Sequence, residues 1–119
     1  MHIPFDCPDR LIAMVSSFIL SLDCVVMYVV YADRDGGMKF SLRSELSALN
    51  AGDLVHMALK GIGDGGGHPM MAGGVIFPKN MSELGPDPDQ EIRDRFIAAY
   101  EKLKGNALLQ RIHFFIHFL

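Results

Sequence analysis

The sequence CVVMYVVYADRDGGMKFSLRS, residues 24–44, determines the fold class more than any other stretch of the chain. Its first part, residues 24–32, carries β-branched and aromatic side chains on both alternating faces, which is typical of a strand covered on both sides of a sheet. Residues 33–37 read DRDGG, and an Asp-Gly pair supplies the positive-φ positions of a tight turn. In residues 38–44 apolar and polar side chains alternate. The stretch therefore predicts an antiparallel hairpin at the centre of a sheet.

Helical periodicity flanks this hairpin on both sides. Before it, Pro8 suits the first turn of a helix, and apolar residues follow at three- and four-residue steps. The face that they define comprises Leu11, Ile12, Val15, Phe18, Ile19 and Leu22. After the hairpin, residues 51–60 are predicted to form a helix capped by Asn50, and residues 89–104 to form another. The buried stripe of this last helix comprises Ile92, Phe96, Ile97, Tyr100 and Leu103.

The region between the last two helices is predicted to be mostly irregular. Residues 61–67 read GIGDGGG, and glycines hold regular structure only at an entropic cost. We expect one turn of helix at residues 68–72, a third strand at residues 74–77 and a proline-containing loop at residues 78–88. His2, ahead of the first helix, is expected in a frayed terminus. The expected fold class is α/β in the loose sense (α+β): a small mixed β-sheet built on the hairpin and flanked by three or more helices.

The composition fits a single domain over residues 1–119. Hydrophobic residues make up 50% of the chain and the net charge is −3, whereas disordered chains are less apolar and more strongly charged. This weak negative charge argues against a broad electrostatic contact with a nucleic-acid duplex, although a small anionic ligand stays possible. Asp23 interrupts the apolar residues 11–32, so we expect no membrane span. Because Cys7 and Cys24 match neither a disulfide framework nor a metal site, we expect reduced thiols and a cytoplasmic location.

The strongest functional signal is the sequence GGGHPMMAGG at residues 65–74. Consecutive glycines let successive backbone N–H groups turn toward one point, which forms a concavity suited to an anion, and they leave room for a phosphate to approach the main chain. A histidine after them can add a hydrogen bond, and a charge when it is protonated. The candidate phosphate-binding residues of this segment are Gly65, Gly66, Gly67 and His68. A flexible loop with a surface histidine is the alternative interpretation.

A second signal is the sequence SLRS at residues 41–44, where the second hairpin strand ends. With Leu42 turned into the core, Ser41 and Arg43 share the opposite face. A guanidinium matches phosphate oxygens and serine hydroxyls support it, so Arg43 with Ser41 or Ser44 is a candidate phosphate site if it lies close to the glycines. An arginine on a solvated sheet face is the alternative.

The succession of Ser-x-Arg-Ser at a strand end, a helix and GGGHPMMAG resembles the DHHA1 domain of DHH-family phosphoesterases. That family includes nano-RNases that also act on 3′-phosphoadenosine 5′-phosphate, RecJ-type exonucleases and cyclic-dinucleotide phosphodiesterases. The resemblance implies a substrate-binding domain that holds the phosphate of a nucleotide or short oligonucleotide. The residues implied are Arg43, Ser41, Ser44, Gly65, Gly66, Gly67 and His68. One departure is Met71, which stands where many relatives carry a small residue.

The resemblance also implies that the metal chemistry takes place elsewhere. In the family a separate N-terminal DHH domain, with an Asp-His-His run, holds two manganese ions and performs the hydrolysis. This chain contains no Asp-His-His run, so we expect no catalytic residue, metal or cofactor in it. Mn²⁺ is expected in the DHH domain, which becomes a predicted partner, and the chain alone is not expected to be catalytically competent.

Two other functions stay open. One is an RNA-binding accessory domain, because alanyl-tRNA synthetases carry a similar DHHA1 module. Such modules usually have another residue at the position of His68. An RNA binder is also expected to have a more basic surface. The other is an interaction module, because residues 107–119 are strongly apolar, which predicts packing on this domain, on another copy of the chain or on a missing partner domain. His113 and His117 lie in this segment without an obvious third ligand, so we expect packing there and no zinc.

Overall fold

The structure, a computed structural model, describes residues 2–20, 27–45 and 49–104. Their elements, in chain order, are β1 (His2–Ile3), α1 (Asp9–Leu20), β2 (Met27–Arg34), β3 (Gly37–Ser44), α2 (Ala51–Ala58), β4 (Gly63–Gly67), β5 (Met71–Ile76), a 3-10 helix (Pro78–Leu84) and α3 (Pro88–Lys104). The described strands form one sheet in the order β1-β2-β3-β5-β4. β1 runs parallel to β2 and the other neighbours are antiparallel. The predicted mixed sheet flanked by helices is confirmed.

The predicted hairpin forms the centre of this sheet. β2 and β3 pair along their whole length, which leaves Asp35 and Gly36 as a two-residue turn. Their φ angles are 49° and 85°, and positive φ at both positions defines the type I′ turn, whose twist matches that of paired strands. Residues 27–32 are fully buried, as predicted for a strand covered on both faces. Residues 24–26 of the predicted strand lie outside the described residues.

Each face of the sheet has its own core. On the face that we call the α2/α3 face, α2 and α3 pack on the sheet through a large cluster that includes Tyr31, Phe40, Leu54 and Phe96. On the opposite face, called the α1 face, Ile12 of α1 packs on Tyr28 and Val30. The predicted alternation in β3 is confirmed. Its buried residues Met38, Phe40 and Leu42 belong to the α2/α3 face, and the partly exposed Lys39, Ser41 and Arg43 belong to the α1 face.

The helices cover the two faces to different extents. α1 lies over β2 and β3, whereas α2 packs on β4 and β5 from the α2/α3 face. Among the described elements, none packs extensively on the α1 face of β4 and β5 beside α1. This difference places the candidate site described below.

The glycine-rich segment is a strand, and the prediction of an irregular segment at residues 61–67 was wrong. β4 pairs with β5 from Gly63 opposite Ile76 to Gly67 opposite Ala72. A Cβ at Gly63 would run into the backbone of Val75, so glycine is needed for this approach. The entropic cost of ordering glycines is therefore offset by close packing that larger residues would prevent.

The connection from β4 to β5 is a tight turn, so the helical turn predicted for residues 68–72 was also wrong. The N–H group of His68 donates to the carbonyl of Met71 at 2.8 Å, and β5 begins at Met71. The predicted strand at residues 74–77 therefore starts earlier than expected. Within the loop predicted from residue 78 onward, Pro78–Leu84 form a 3-10 helix with proline in its first turn.

His2 is part of the sheet and does not lie in a frayed terminus. It pairs with Tyr31, and the two rings stack with centroids 4.7 Å apart. Its Nε2 lies 2.8 Å from Asp33 Oδ1 and its Nδ1 lies 3.0 Å from Asp89 Oδ1. The Tyr31 hydroxyl donates to the same Asp89 oxygen at 2.7 Å. The prediction was wrong because a two-residue strand has no periodicity to detect.

The helices lie where they were predicted, but some residues predicted to be on their buried faces are exposed. Asn50 caps α2, since its side chain accepts from the N–H group of Asp53. Ile12, Ile92 and Phe96 are buried as predicted. Leu11 and Ile97 are 43% and 42% exposed, so they lie at the edges of their helical stripes.

Several predictions fall partly or wholly outside the described residues. Cys7 is a buried free thiol, as expected, whereas Cys24 lies outside them. Residues 107–119 lie outside them too, so self-association through this segment stays a prediction. In the part of the chain that the structure describes, no helix is long and apolar enough to cross a membrane.

The buried tyrosines predict a pH dependence at the alkaline end. Loss of solvent raises the pKa of Tyr28 to about 12, and burial together with the hydrogen bond to Asp89 raises the pKa of Tyr31. Because the folded state favours the neutral phenols, their stabilising effect is complete below the unfolded pKa, roughly 10, and decreases as the pH rises toward 12. An ultraviolet absorbance titration should therefore show these tyrosines ionising late, or together with unfolding. Ionisation of every tyrosine near the unfolded pKa in the native protein would contradict this packing.

Candidate functional site

A cavity of about 330 Å³ lies on the α1 face, between α1 and the open surface of β4 and β5. Its floor is made of small residues, Gly66, Ala72 and Gly73. Its apolar walls come from Ile12, Ala13 and Met71, and its polar rim from Asp9, Lys39 and Ser41. The volume falls within the range of small-molecule sites, roughly 300–1,000 Å³. Apolar walls with a few polar groups on one side suit a ligand that has both characters.

Missing side chains create this cavity. Gly66 of β4 lies opposite Gly73 of β5, so two neighbouring strands present no side chain at this point. A Cβ built on Gly66 would meet no atom within 4 Å. The fold therefore tolerates a side chain at Gly66, and glycine there keeps the cavity empty.

The backbone N–H groups of the glycine run do not form the expected concavity. Gly66 pairs with Gly73, and the N–H group of His68 donates to the carbonyl of Met71. The N–H groups of Gly66 and His68 therefore point toward β5. Antiparallel geometry then turns the N–H groups of Gly65 and Gly67 in the opposite direction, toward the sheet edge where α2 lies. The N–H groups of the glycine run therefore do not converge on one point in the cavity.

The turn between β4 and β5 is fixed by its carbonyl groups. The N–H groups of Ser44, Ala51 and Gly52 donate, in that order, to the carbonyls of Met70, Pro69 and His68 at 2.9, 2.8 and 3.2 Å. The first amides of α2 are thereby satisfied by the turn itself. This explains why the segment after the glycines lies against the end of β3, where Arg43 is located.

Three of the predicted binding residues line the cavity: Ser41, Gly66 and Gly67. Arg43 lies on the same face, two residues beyond Ser41 on β3. Within the described residues its guanidinium has no hydrogen bond or ion pair. No group in the described part of the chain therefore competes with an external anion for this guanidinium.

His68 lies farther from the cavity. Arg43 pairs with Met71 on β5, and Met71 in turn faces His68, so the three residues form one row across the strands. Two interstrand steps separate Arg43 from His68, which is about 10 Å. The exposed His68 borders a separate depression of about 560 Å³, together with Glu45, Pro69 and Met70.

The structure does not bring Ser44 or Gly65 to this site. Ser44 lies on the α2/α3 face, is 1% exposed, and donates through its hydroxyl to the carbonyl of Leu49 at 3.0 Å. A Cβ on Gly65 would lie 2.9 Å from a methyl group of Val55 in α2. Both residues serve the packing of the α2/α3 face. Strand alternation, which put Ser41 and Arg43 on one face, already required Ser44 on the other.

The sequence analysis missed several residues that line the cavity. Lys39 has the same parity as Ser41 in β3, so the alternation that identified Ser41 could have identified it too. Asp9 and Ala13 come from α1, and the position at which a helix packs on a sheet leaves no local signal in the sequence. Among the residues described, no group of three or more His, Cys, Asp or Glu side chains is placed to bind a metal ion.

The fold and the site together define a small α+β domain with a ligand-sized cavity on a partly uncovered sheet. A family model described as the DHHA1 domain matches residues 4–94 of this chain. The match covers most of the chain, so the chain belongs to the DHHA1 family, as its sequence motifs indicated.

Comparison with solved structures supports the same fold. The chain is similar to the C-Ala domain from Aquifex aeolicus alanyl-tRNA synthetase, with a TM-score of 0.54 and 17% sequence identity over 70% of this chain and 84% of that chain. At this identity the likeness shows the fold alone. A comparison with curated proteins found no match.

Two glycine substitutions test whether Gly65 is needed for packing against α2 while Gly66 only leaves space in the cavity. Gly66→Ala should change the free energy of unfolding by less than about 0.5 kcal/mol, because the new methyl group meets no atom. Gly65→Ala should lower it by about 1–3 kcal/mol, because the methyl group overlaps Val55. Urea denaturation of the two variants measures both effects. Equal losses of stability would show that the glycines are not arranged as described.

Proposed function

We propose that this chain is the substrate-binding half of a DHH-family phosphoesterase, and that it binds the phosphate of a nucleotide or short oligonucleotide at the cavity on the α1 face. The observation that carries the proposal is the position of the motif residues: Ser41 and Gly66 line one cavity, and Arg43 pairs in the sheet with Met71, which also lines it. Membership of the DHHA1 family supports it. Hydrolysis is assigned to a separate DHH domain containing Mn²⁺, which makes that domain a partner.

Arg43 and Ser41 are proposed as the phosphate ligands. They are two residues apart on one face of β3, a distance of about 7 Å between their Cα atoms. A guanidinium can donate two parallel hydrogen bonds to a phosphate, and a nearby hydroxyl can donate a third. Gly66 contributes by leaving the floor of the cavity without a side chain, and Gly67 lines the cavity through its backbone. Ser44 and Gly65 are not part of this proposed site.

His68 is proposed as a more distant contact. It is exposed at the end of the row that runs from Arg43 through Met71. A ligand longer than one nucleotide could extend along this row and reach the imidazole. His68 should therefore matter more for an oligonucleotide than for a mononucleotide.

An RNA-binding accessory domain is the second candidate function. Its specific support is the shared fold with the C-Ala domain of an alanyl-tRNA synthetase. A net charge of −3 makes a strong, non-specific contact with the phosphates of a long RNA unfavourable. A cavity with room for one nucleotide end is also of little use in binding a duplex stem, which is why the first function is preferred.

A calorimetric titration without metal tests the proposal. The wild-type chain should bind 3′-phosphoadenosine 5′-phosphate and a 5′-phosphorylated dinucleotide saturably. Arg43→Gln should weaken binding about tenfold or more, as expected for loss of a charge-assisted hydrogen bond. Gly66→Val should abolish binding, because its side chain fills the cavity.

Arg93→Gln is the matched control. Arg93 is exposed on α3, on the other side of the sheet, and its substitution removes the same charge. Its affinity should equal that of the wild type. Binding of a transfer RNA without binding of either nucleotide would favour the second function. Equal affinities for Arg43→Gln and Arg93→Gln would contradict the proposed phosphate site.

A further inference from the structure

We infer that Met71 contacts the nucleobase of the ligand, and that the cavity therefore ranks nucleotides by the size of the base ring. This inference rests on the proposed function, because it assigns the apolar part of the site whose phosphate ligands are Ser41 and Arg43. The composition of the cavity carries it. Its walls are the apolar side chains of Met71, Ile12 and Ala13, and its floor includes a stretch of main chain at paired glycines.

Met71 has no packing role among the described residues. It is 48% exposed, it belongs to neither core cluster, and it is not one of the partly buried residues that pack on them. The preceding residue, Met70, is 59% exposed but borders the depression near Glu45 and not the cavity. Apolar surface left in water contributes to binding when a ligand covers it. A ligand in the cavity would cover Met71.

The strand register places Met71 beside the proposed phosphate ligand Arg43. The two residues pair across β3 and β5, so their Cα atoms are about 5 Å apart and their side chains share the α1 face. Ser41 pairs with Gly73, which has no side chain. The sugar of a nucleotide keeps its base close to its phosphate. A base whose phosphate is held by Arg43 and Ser41 therefore lies over Gly73 and against Met71.

The floor of the cavity suits a flat ring. Gly66 and Gly73 pair across β4 and β5, and a Cβ on Gly66 would meet no atom within 4 Å. A planar base can therefore approach the main chain there. Methionine is a suitable wall for such a ring, because its thioether is flexible and polarizable and makes favourable contacts with aromatic groups.

The side chains that form these walls favour ring size over the hydrogen-bonding pattern of the base. They are apolar and offer no donor or acceptor to the edge of a ring. On the rim, Asp9 Oδ1 lies 2.7 Å from Arg34 and its Oδ2 lies 3.8 Å from Lys39 Nζ, so two cations of the described chain already compete for this carboxylate. A purine should therefore bind more tightly than a pyrimidine, with adenine and guanine nearly equal.

Three ligands that share one phosphate test the inference: adenosine 5′-monophosphate, uridine 5′-monophosphate and ribose 5-phosphate, which has no base. In NMR titrations of the wild type without metal, the affinity should fall in this order, by about tenfold or more between the first and the last. Met71→Ala should weaken binding of adenosine 5′-monophosphate about fivefold and leave that of ribose 5-phosphate within about twofold, because the latter has no ring to contact. Met71→Leu, which keeps an apolar side chain of similar volume, should restore most of the affinity.

A second measurement detects the contact itself. In a chain labelled with ¹³C at its methionine methyl groups, the signal of Met71 is identified by its loss in Met71→Ala. The purine ring should shift this signal when adenosine 5′-monophosphate binds, whereas ribose 5-phosphate should shift it little. Met14→Ala is the matched control. Met14 is 61% exposed on α1 and does not line the cavity, so this variant should keep all three affinities.

The outcomes separate the inference from the proposed function. If the wild type binds adenosine 5′-monophosphate and ribose 5-phosphate equally, or if Met71→Ala weakens neither or both alike, the inference is wrong while the phosphate site stands. A Met71 methyl signal that does not respond to the purine ring would also overturn it. If the wild type binds none of the three ligands, the proposed function fails and the inference fails with it.

Discussion

α2 packs against the β4–β5 hairpin at a distance that only glycine permits, and the arrangement of the site depends on this contact. Cβ atoms at Gly65 and Gly74 would each come within 2.9 Å of Val55, and one at Gly52 would lie 2.7 Å from the carbonyl oxygen of Gly67. α2 covers β4 and β5 from this side, and within the described residues α1 packs mainly on β2 and β3, so the other face of β4 and β5 has no extensive cover there. The cavity is the space between α1 and these two uncovered strands.

The glycine-rich motif thus has two roles that are carried by different residues. Gly63, Gly65 and Gly67 allow strands and helix to approach one another, whereas Gly66 faces the cavity and meets nothing. The turn that follows links the motif to the end of β3, since the N–H group of Ser44 donates to the carbonyl of Met70. This hydrogen bond connects the two sequence motifs, which are far apart in the chain. In this account the motif functions through the space it leaves and the position it gives Arg43, and not through a ring of amide donors.

The sequence predicted the local features of this fold and missed those that arise from packing. The hairpin turn at Asp35 and Gly36, the cap at Asn50 and the alternation that puts Ser41 with Arg43 are each encoded within a few residues, so they could be predicted. β4 could not, because its glycines are ordered by contacts with α2 and β5 that are distant in sequence. The same holds for Asp9, which reaches the cavity only through the docking of α1. The family motif did not indicate that Gly65 and Ser44 face away from the cavity.

The central claim is that the ligand lies on the α1 face, and NMR with a ¹⁵N-labelled chain tests it most directly. Titration with 3′-phosphoadenosine 5′-phosphate, in the absence of metal, should shift the amide signals of residues 39–43, 66–67 and 71–73 most strongly, with small changes in α2 and α3. Gly66→Val should remove these shifts without changing the rest of the spectrum. Shifts concentrated at the first turn of α2, or in the depression bordered by Glu45 and Met70, would place the ligand elsewhere and contradict the account.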